Sequence, residues 1–327
     1  MLPRQGCGRL GQLWTAAGAG ASADHAGEVL LVLSRCQALA AGHSPAEIDA
    51  LVRSRRWLAL RRAVYLLQPC LPDDPVVRHA VLVQAAALST AVPVVASHRS
   101  AALLHGLPLV TAHSGEPVLT RVVERGAPRG PGRRSARLVA VVPEDQQVLV
   151  HGAPVTSVAR SALDLARTVD DLDAVLVLDR ALALVPLQAL VAVLDSQRGW
   201  PGSTRARRRL SFADGRAESA LESLGRLRMA EQGLPAPQLQ VTVGDAGGPV
   251  ARVDYAWLEH RTVAEADGRL KYSGARDLWE EKRREDRLRD IGFEVVRFTW
   301  DDAFRHPAEL AARVRRAFAR ADVRRAA

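Results

Sequence analysis

The chain has 327 residues, 48% of them hydrophobic, with a net charge of +9 and a sequence pI near 10.5. Three cysteines without a C-x-x-C pair exclude a zinc ribbon, and no apolar run is long enough to span a bilayer. The length suits about two or three globular domains, and the basic balance favours a polyanionic partner, nucleic acid first.

Residues 1–27 are rich in Gly and Ala and lack a compact apolar core before a cleavage site, so they read as a disordered lead-in rather than a signal peptide. The odd, scattered cysteines (Cys7, Cys36, Cys70) fit a reducing, cytoplasmic setting, with no membrane partner.

Residues 28–70 predict a small helical unit with a hairpin. The stretch from Gly27 to Gly42 has helical spacing and ends at a C-cap glycine. A second helix starts at Ser44, with Pro45 at its first position and Glu47 placed for a capping box. "WLALRRAVYLLQP" then carries strand-forming residues around Arg61 and Arg62. Two helices, a turn and a hairpin describe a winged helix-turn-helix, whose second helix enters the major groove while the wing lies along the backbone. Arg53, Arg55, Arg56, Arg61 and Arg62 are its candidate DNA contacts; the plainer reading is a solvated charged face.

Residues 71–198 form a mixed α/β middle region. Residues 76–110 read as helical, and His98 and His105, two turns apart, read as packing or hydrogen-bonding residues, because no carboxylates accompany them. Residues 111–155 are strand-rich, and helices return over 158–194. Aspartates 164, 170, 171, 173 and 179 are read as polar faces and caps of those helices. Residues 199–212, with Arg205, Arg207, Arg208 and Arg209, read as a basic linker that either meets phosphates or solubilises a short helix.

From residue 213 the pattern sharpens into the order α-β-β-β-α-β-α, which one α/β or α+β domain can bury around a mixed sheet. A hairpin turning at Glu259-His260 sets Asp254 opposite Glu265, where directly opposed Cβ atoms lie about 4.5–5.5 Å apart. Asp267, two residues on, points to the same face. Glu218, on the preceding helix, completes a patch of four acids. Like charges so placed are destabilising unless neutralised, and a hard divalent cation, Mg²⁺ or Mn²⁺, does that. The plainer reading is a solvent-facing strand surface. The chain has only two lysines, Lys271 and Lys282, and both fall in this segment. Either the genome favours arginine codons, or these two positions need an ammonium group.

"RVDYAWLEHRTVAEADGRLKYSGARDLWEEKRREDRLRDIGFEVVRFTW" resembles the Vsr-like branch of the PD-(D/E)xK nucleases, over about residues 216–320. The resemblance implies a restriction-endonuclease-like fold and phosphodiester hydrolysis. By position it makes Asp254 and Glu265 metal ligands and Glu218 the helix acid, and it puts Asp267 where the superfamily usually has a lysine. Lys271 is then the candidate replacement, and Lys282, Arg283 and Arg287 are candidates to face phosphate. Upstream, "SRCQALAAGHSPAEIDALVRSRRWLALRRAVY" is similar to the winged-helix domain of AbiEi-type antitoxins, with Ala63 where a glycine is usual; "SHRSAALLHGLP" and "VTSVARSALDLAR" resemble segments that follow it. That likeness implies transcriptional regulation and a toxin or other defence-system partner.

The expected architecture is therefore an α/β (α+β) multidomain chain: winged helix at 28–70, AbiEi-like middle region at 71–198, linker at 199–212 and restriction-endonuclease-like domain at 213–327. The expected function is a metal-dependent DNA endonuclease or nickase acting on double-stranded DNA. The alternatives are a non-catalytic DNA-binding regulator and, third, an RNA binder or RNase.

Overall fold

The computed structural model describes residues 31–111, 115–123, 138–267 and 275–326. The expected lead-in 1–27, and Lys271, lie outside the described residues. The chain is mixed α/β, with several separate sheets, and divides into two compact units.

The first unit takes the chain up to Gly106 and Ala112–Asp164. It opens with β1 (Val32–Ser34), α1 (Arg35–Ala40), α2 (Pro45–Arg53), β2 (Leu58–Arg61) and β3 (Val64–Leu66). These strands make an antiparallel sheet in the order β1-β3-β2. The single helix expected up to Gly42 is therefore a strand followed by a short helix. Val32, Leu33 and Ser34 pair with Leu66, Tyr65 and Val64, a partnership some thirty residues away that no local periodicity reveals. Capping boxes start both helices, Ser34 with Gln37 and Ser44 with Glu47. Glu47 is held below its ordinary pKa by the Ser44 backbone and side chain. Ala38, Ile48, Trp57 and Tyr65 form the small core beneath the helices. The helix α3 (Pro75–Leu88) packs Val81 and Ala85 against Val32, Val64 and Leu66.

The rest of this unit is built on a five-stranded sheet. Its strands are β4 (Val94–Ala96), β5 (Leu119–Val122), β6 (Leu138–Ala140), β7 (Gln147–Val150) and β8 (Ala153–Thr156), in the order β6-β5-β4-β8-β7. The span 76–110, expected to be helical, is interrupted by β4, whose three residues are all buried. The helix α4 (His98–His105) follows it and ends at Gly106, in the left-handed region. His105 Nε2–H donates to the Thr156 carbonyl at 2.7 Å, and burial holds this histidine below its ordinary pKa. His98 Nδ1 lies 3.1 Å from Ser97 Oγ.

The second unit comprises Leu107–Thr111 and Leu165–Ala327. After α5 (Val158–Thr168), which begins in the first unit, come α6 (Asp171–Leu184), α7 (Leu187–Ser196), α8 (Ser203–Phe212) and α9 (Ala220–Glu231). The expected linker 199–212 is thus largely helix. Arg209 is buried and donates to the Ala166 and Val169 carbonyls and to Asp171, while Arg205 donates to the Arg167 carbonyl. Of the aspartates read as polar faces and caps, Asp170 does cap α6, through Asp173 N. Asp164, Asp173 and Asp179 are buried with partners instead. Asp164 pairs with Arg160, Asp173 accepts from Val110 N and Thr111 Oγ1, and Asp179 accepts two bonds from Arg226.

The remainder follows the order read from the sequence, with one additional short helix. It runs β9 (Gln238–Asp245), β10 (Gly248–Trp257), β11 (Thr262–Ala266), α10 (Ala275–Asp290), β12 (Glu294–Phe298), α11 (Trp300–Arg305) and α12 (Pro307–Ala326). The sheet order is β12-β11-β10-β9, antiparallel except for the β11–β12 pair. Tyr255, Trp257, Ala264, Ala266 and Phe298 pack with Leu221 and Leu224 of α9 and Leu310 and Val314 of α12. On the other side, Val263 packs with Leu288 of α10. The close approach of α9 to the sheet depends on Gly225, where a Cβ would meet Phe298 Cζ at 2.5 Å.

Candidate functional site

The pairing of β10 with β11 runs Trp257↔Thr262, Ala256↔Val263 and Tyr255↔Ala264. One further step sets Asp254 across from Glu265, the juxtaposition read from the sequence. The ladder stops there. Where the strands part, the Ala266 amide donates to Asp254 Oδ2 at 2.8 Å, so a carboxylate takes over a bond the ladder no longer supplies.

Five acids meet around this point, in two groups, each with its own bridge. In the first, Gln240 Nε2 donates to Asp254 Oδ1 at 3.2 Å and to Glu222 Oε2 at 2.8 Å. In the second, Arg297 lies 3.3 Å from Asp267 Oδ2 and 3.9 Å from Glu265 Oε2, and its Nε donates to Glu285 at 2.9 Å. Arg284, on α10, binds Glu265 Oε2 at 2.6 Å. Glu265 is only 5% exposed and Glu222 only 4%. Buried carboxylates need such partners, because desolvation otherwise disfavours the charged form.

The helix acid differs from the expected one. Glu218 precedes α9, is exposed and pairs with Arg252. Glu222, one turn on, is the acid that joins Asp254. Ser219 decides this by capping α9 through Glu222 N, which turns position 222 inward. Tyr255 Oη–H fixes the same turn by donating to the Glu222 carbonyl at 2.5 Å, and burial pushes this phenol well above its ordinary pKa.

Gln240, Arg284 and Arg297 went unread in the sequence. The parallel register Glu265↔Arg297 places Arg297 beside Glu265, and only the strand pairing reveals it. Lys282, Arg283 and Arg287, the expected phosphate contacts, are exposed on α10. Among the described residues, no three His, Cys, Asp or Glu side chains already stand around one metal position. In donor chemistry Asp254, Glu265 and Glu222 fit a hard divalent cation, which takes carboxylate oxygens. To hold such an ion, Glu265 would have to give up its pairing with Arg284.

In the first unit, Arg53, Arg55, Arg56, Arg61 and Arg62 are all exposed. Arg61 and Arg62 stand at the β2–β3 hairpin, whose tip is Arg62-Ala63. Ala63 has φ 60°, the left-handed region in which glycine is at ease. Asp49, on the outer side of α2, is held by Arg35 at 2.8 Å and sits below its ordinary pKa for that reason. Arg35 also reaches Tyr65 Oη, tying α1 and α2 to the hairpin.

No family model matches the chain. It is 39% identical over 174 residues to two Mycobacterium tuberculosis proteins, one from each of two strains. They are named Uncharacterized protein MT2308 and Uncharacterized protein Rv2248. The match covers 53% of this chain and 64% of theirs, so the chain spans less than two thirds of those relatives. No helix among the described residues is long and apolar enough to cross a membrane.

Proposed function

We propose that this chain is a DNA-binding protein whose restriction-endonuclease-like C-terminal domain hydrolyses phosphodiester bonds with Mg²⁺ or Mn²⁺. The observation that carries the reading is Asp254 opposite Glu265 at the point where β10 and β11 part, with Glu222 linked to Asp254 through Gln240. Asp254 and Glu265 would hold the ion, which when bound supplies charge neutralisation at the scissile phosphate and a more acidic water. Gln240 and the Ala266 amide orient Asp254 before any ligand arrives. In hydrolysis the water oxygen bonds to phosphorus, and the bond from phosphorus to the departing alcohol oxygen breaks. Arg297, fixed between Glu265 and Asp267, supplies a cation beside the position where the superfamily usually has its lysine. The exposed Lys282, Arg283 and Arg287 of α10 would face phosphates.

The N-terminal strand, two helices and hairpin support a winged helix-turn-helix, with sheet order β1-β3-β2 and exposed arginines on and after α2 and at the hairpin tip. We assign double-stranded DNA as its partner.

A second reading is favoured by one observation, the pairing of Glu265 with Arg284 and of Asp267 with Arg297. Those guanidinium groups balance the acids without an ion, as suits a regulator of the antitoxin type that binds DNA and does not cut it.

The test is cleavage of supercoiled plasmid by purified protein with Mg²⁺ or Mn²⁺, beside Asp254→Ala and Glu265→Ala. Nicking that both substitutions abolish is the expected result. Intact plasmid throughout, with the protein still retarding DNA on a gel, selects the regulator. Equal cutting by wild type and both variants refutes the assigned site.

A further inference from the structure

Three arginines from separate segments of the second unit converge on an open pocket of about 470 Å³ beside the acids. Arg180 comes from α6, Arg216 from the segment before α9, and Arg252 from β10. Gln240, the amide that links Glu222 to Asp254, lines the same pocket. The pocket therefore adjoins the acid centre through Gln240, while Asp254, Glu222 and Glu265 do not themselves line it.

Two of these cations are pre-aimed. Asp214 accepts from Arg216 Nε at 3.0 Å and from Nη2 at 2.6 Å, which holds the guanidinium in a fixed plane. Glu218, which also lines the pocket, anchors Arg252. Arg180 is different. It is exposed and, among the described residues, has no carboxylate partner. Its neighbour Asp179 is committed to Arg226, so it does not neutralise Arg180. Planar, multiply donating guanidinium groups suit phosphate oxygens, and fixed ones lose less entropy on binding.

We propose that this pocket is a phosphodiester-binding groove that leads the DNA backbone to the acid centre, with Arg180, Arg216 and Arg252 as its contacts. The proposal rests on the DNA-binding nuclease reading above and adds the path of the strand. It also gives Glu218 a task outside the metal shell, that of holding Arg252 in position for phosphate.

The experiment is fluorescence anisotropy with a labelled DNA duplex in EDTA, so that binding is read without cleavage, across a salt series. Four full-length proteins are compared: wild type, Arg180→Glu, Arg316→Glu and a wing variant with Arg55, Arg56, Arg61 and Arg62 all changed to Ala. Arg316 is exposed on α12 and does not line the pocket, so its reversal controls for a change in net charge alone. The groove predicts about tenfold weaker binding for Arg180→Glu, with a salt slope shallower by about 0.9, and a markedly smaller loss for Arg316→Glu. Wild-type affinity and slope in Arg180→Glu, or equal losses in the two reversals, overturn the groove. If the wing variant alone is weakened, the groove falls and the DNA-binding reading stands. If wild type binds no duplex at all, that reading falls and the groove with it.

Discussion

Replacing Gly225 by alanine tests how the fold delivers the acids to one place. A new methyl at 225 would lie 2.5 Å from Phe298 Cζ and 2.8 Å from both Phe298 Cε2 and Tyr255 Oη. Ordinary carbon contacts begin near about 3.5 Å, so α9 or the rings must retreat by roughly 1 Å. Neither ring has room, since Phe298 is 1% exposed and Tyr255 is fully buried. Overpacking of this kind costs about 1–3 kcal/mol, while exchanging glycine for alanine inside a helix returns about 1 kcal/mol. Because neither ring can yield, the clash takes the upper end of its range, and a net loss of about 2 kcal/mol is expected. In urea unfolding followed by circular dichroism, that lowers the midpoint by about 0.5–1 M. Pairing the change with Phe298→Leu relieves the contact, so the double variant should lose less than the sum of the singles. An unchanged or raised midpoint for Gly225→Ala would show that α9 does not depend on this close approach. The reason for Glu222 lying beside Asp254 would then have to be sought elsewhere.

Other outcomes follow from the same geometry. Asp179→Ala leaves the guanidinium of Arg226 buried without its carboxylate and should destabilise the protein by about 3–5 kcal/mol in chemical denaturation. Ala63→Gly relieves a left-handed residue at the hairpin tip and should raise stability by about 0.5–1 kcal/mol, read as a higher melting temperature. Burial holds His105 below its ordinary pKa, so the unfolded chain takes up this proton first. Its contribution to stability is full above about pH 6.5 and is lost as the pH falls through the lower folded value. His105→Gln should flatten that part of the profile of denaturation midpoint against pH. Gln240→Leu removes the amide between Glu222 and Asp254; plasmid nicking should fall at least tenfold if the acids act together, and the melting temperature reports whether the fold survives.

The hairpin carrying Asp254 and Glu265 was legible in the sequence because its partners are close along the chain. A turn at Glu259-His260 fixes the register by counting alone, and the structure has that register. The capped start of α2 at Ser44 was legible for the same reason, since a capping box is complete within four residues. The order of elements after residue 213 followed from local patterns of period two and of helical period.

Tertiary pairing decided what local pattern did not. The strand Val32–Ser34 reads as helix until Val64–Leu66 claims it. Arg209, in an arginine run that looks solvated, turns inward to the carbonyls at the end of α5. Glu218 reads as the helix acid, until the cap at Ser219 and the hydroxyl of Tyr255 fix the turn that brings Glu222 inward instead. Arg284 is one of many arginines in its segment, and it meets Glu265 because α10 packs over Val263. Arg297 meets Glu265 because β12 adds to the sheet in parallel. The sequence by itself determined which residues carry charge and which local turns they make. Which charges are neighbours was decided by contacts between distant segments, because burying apolar faces sets those contacts and the charged groups must then find partners wherever the packing leaves them.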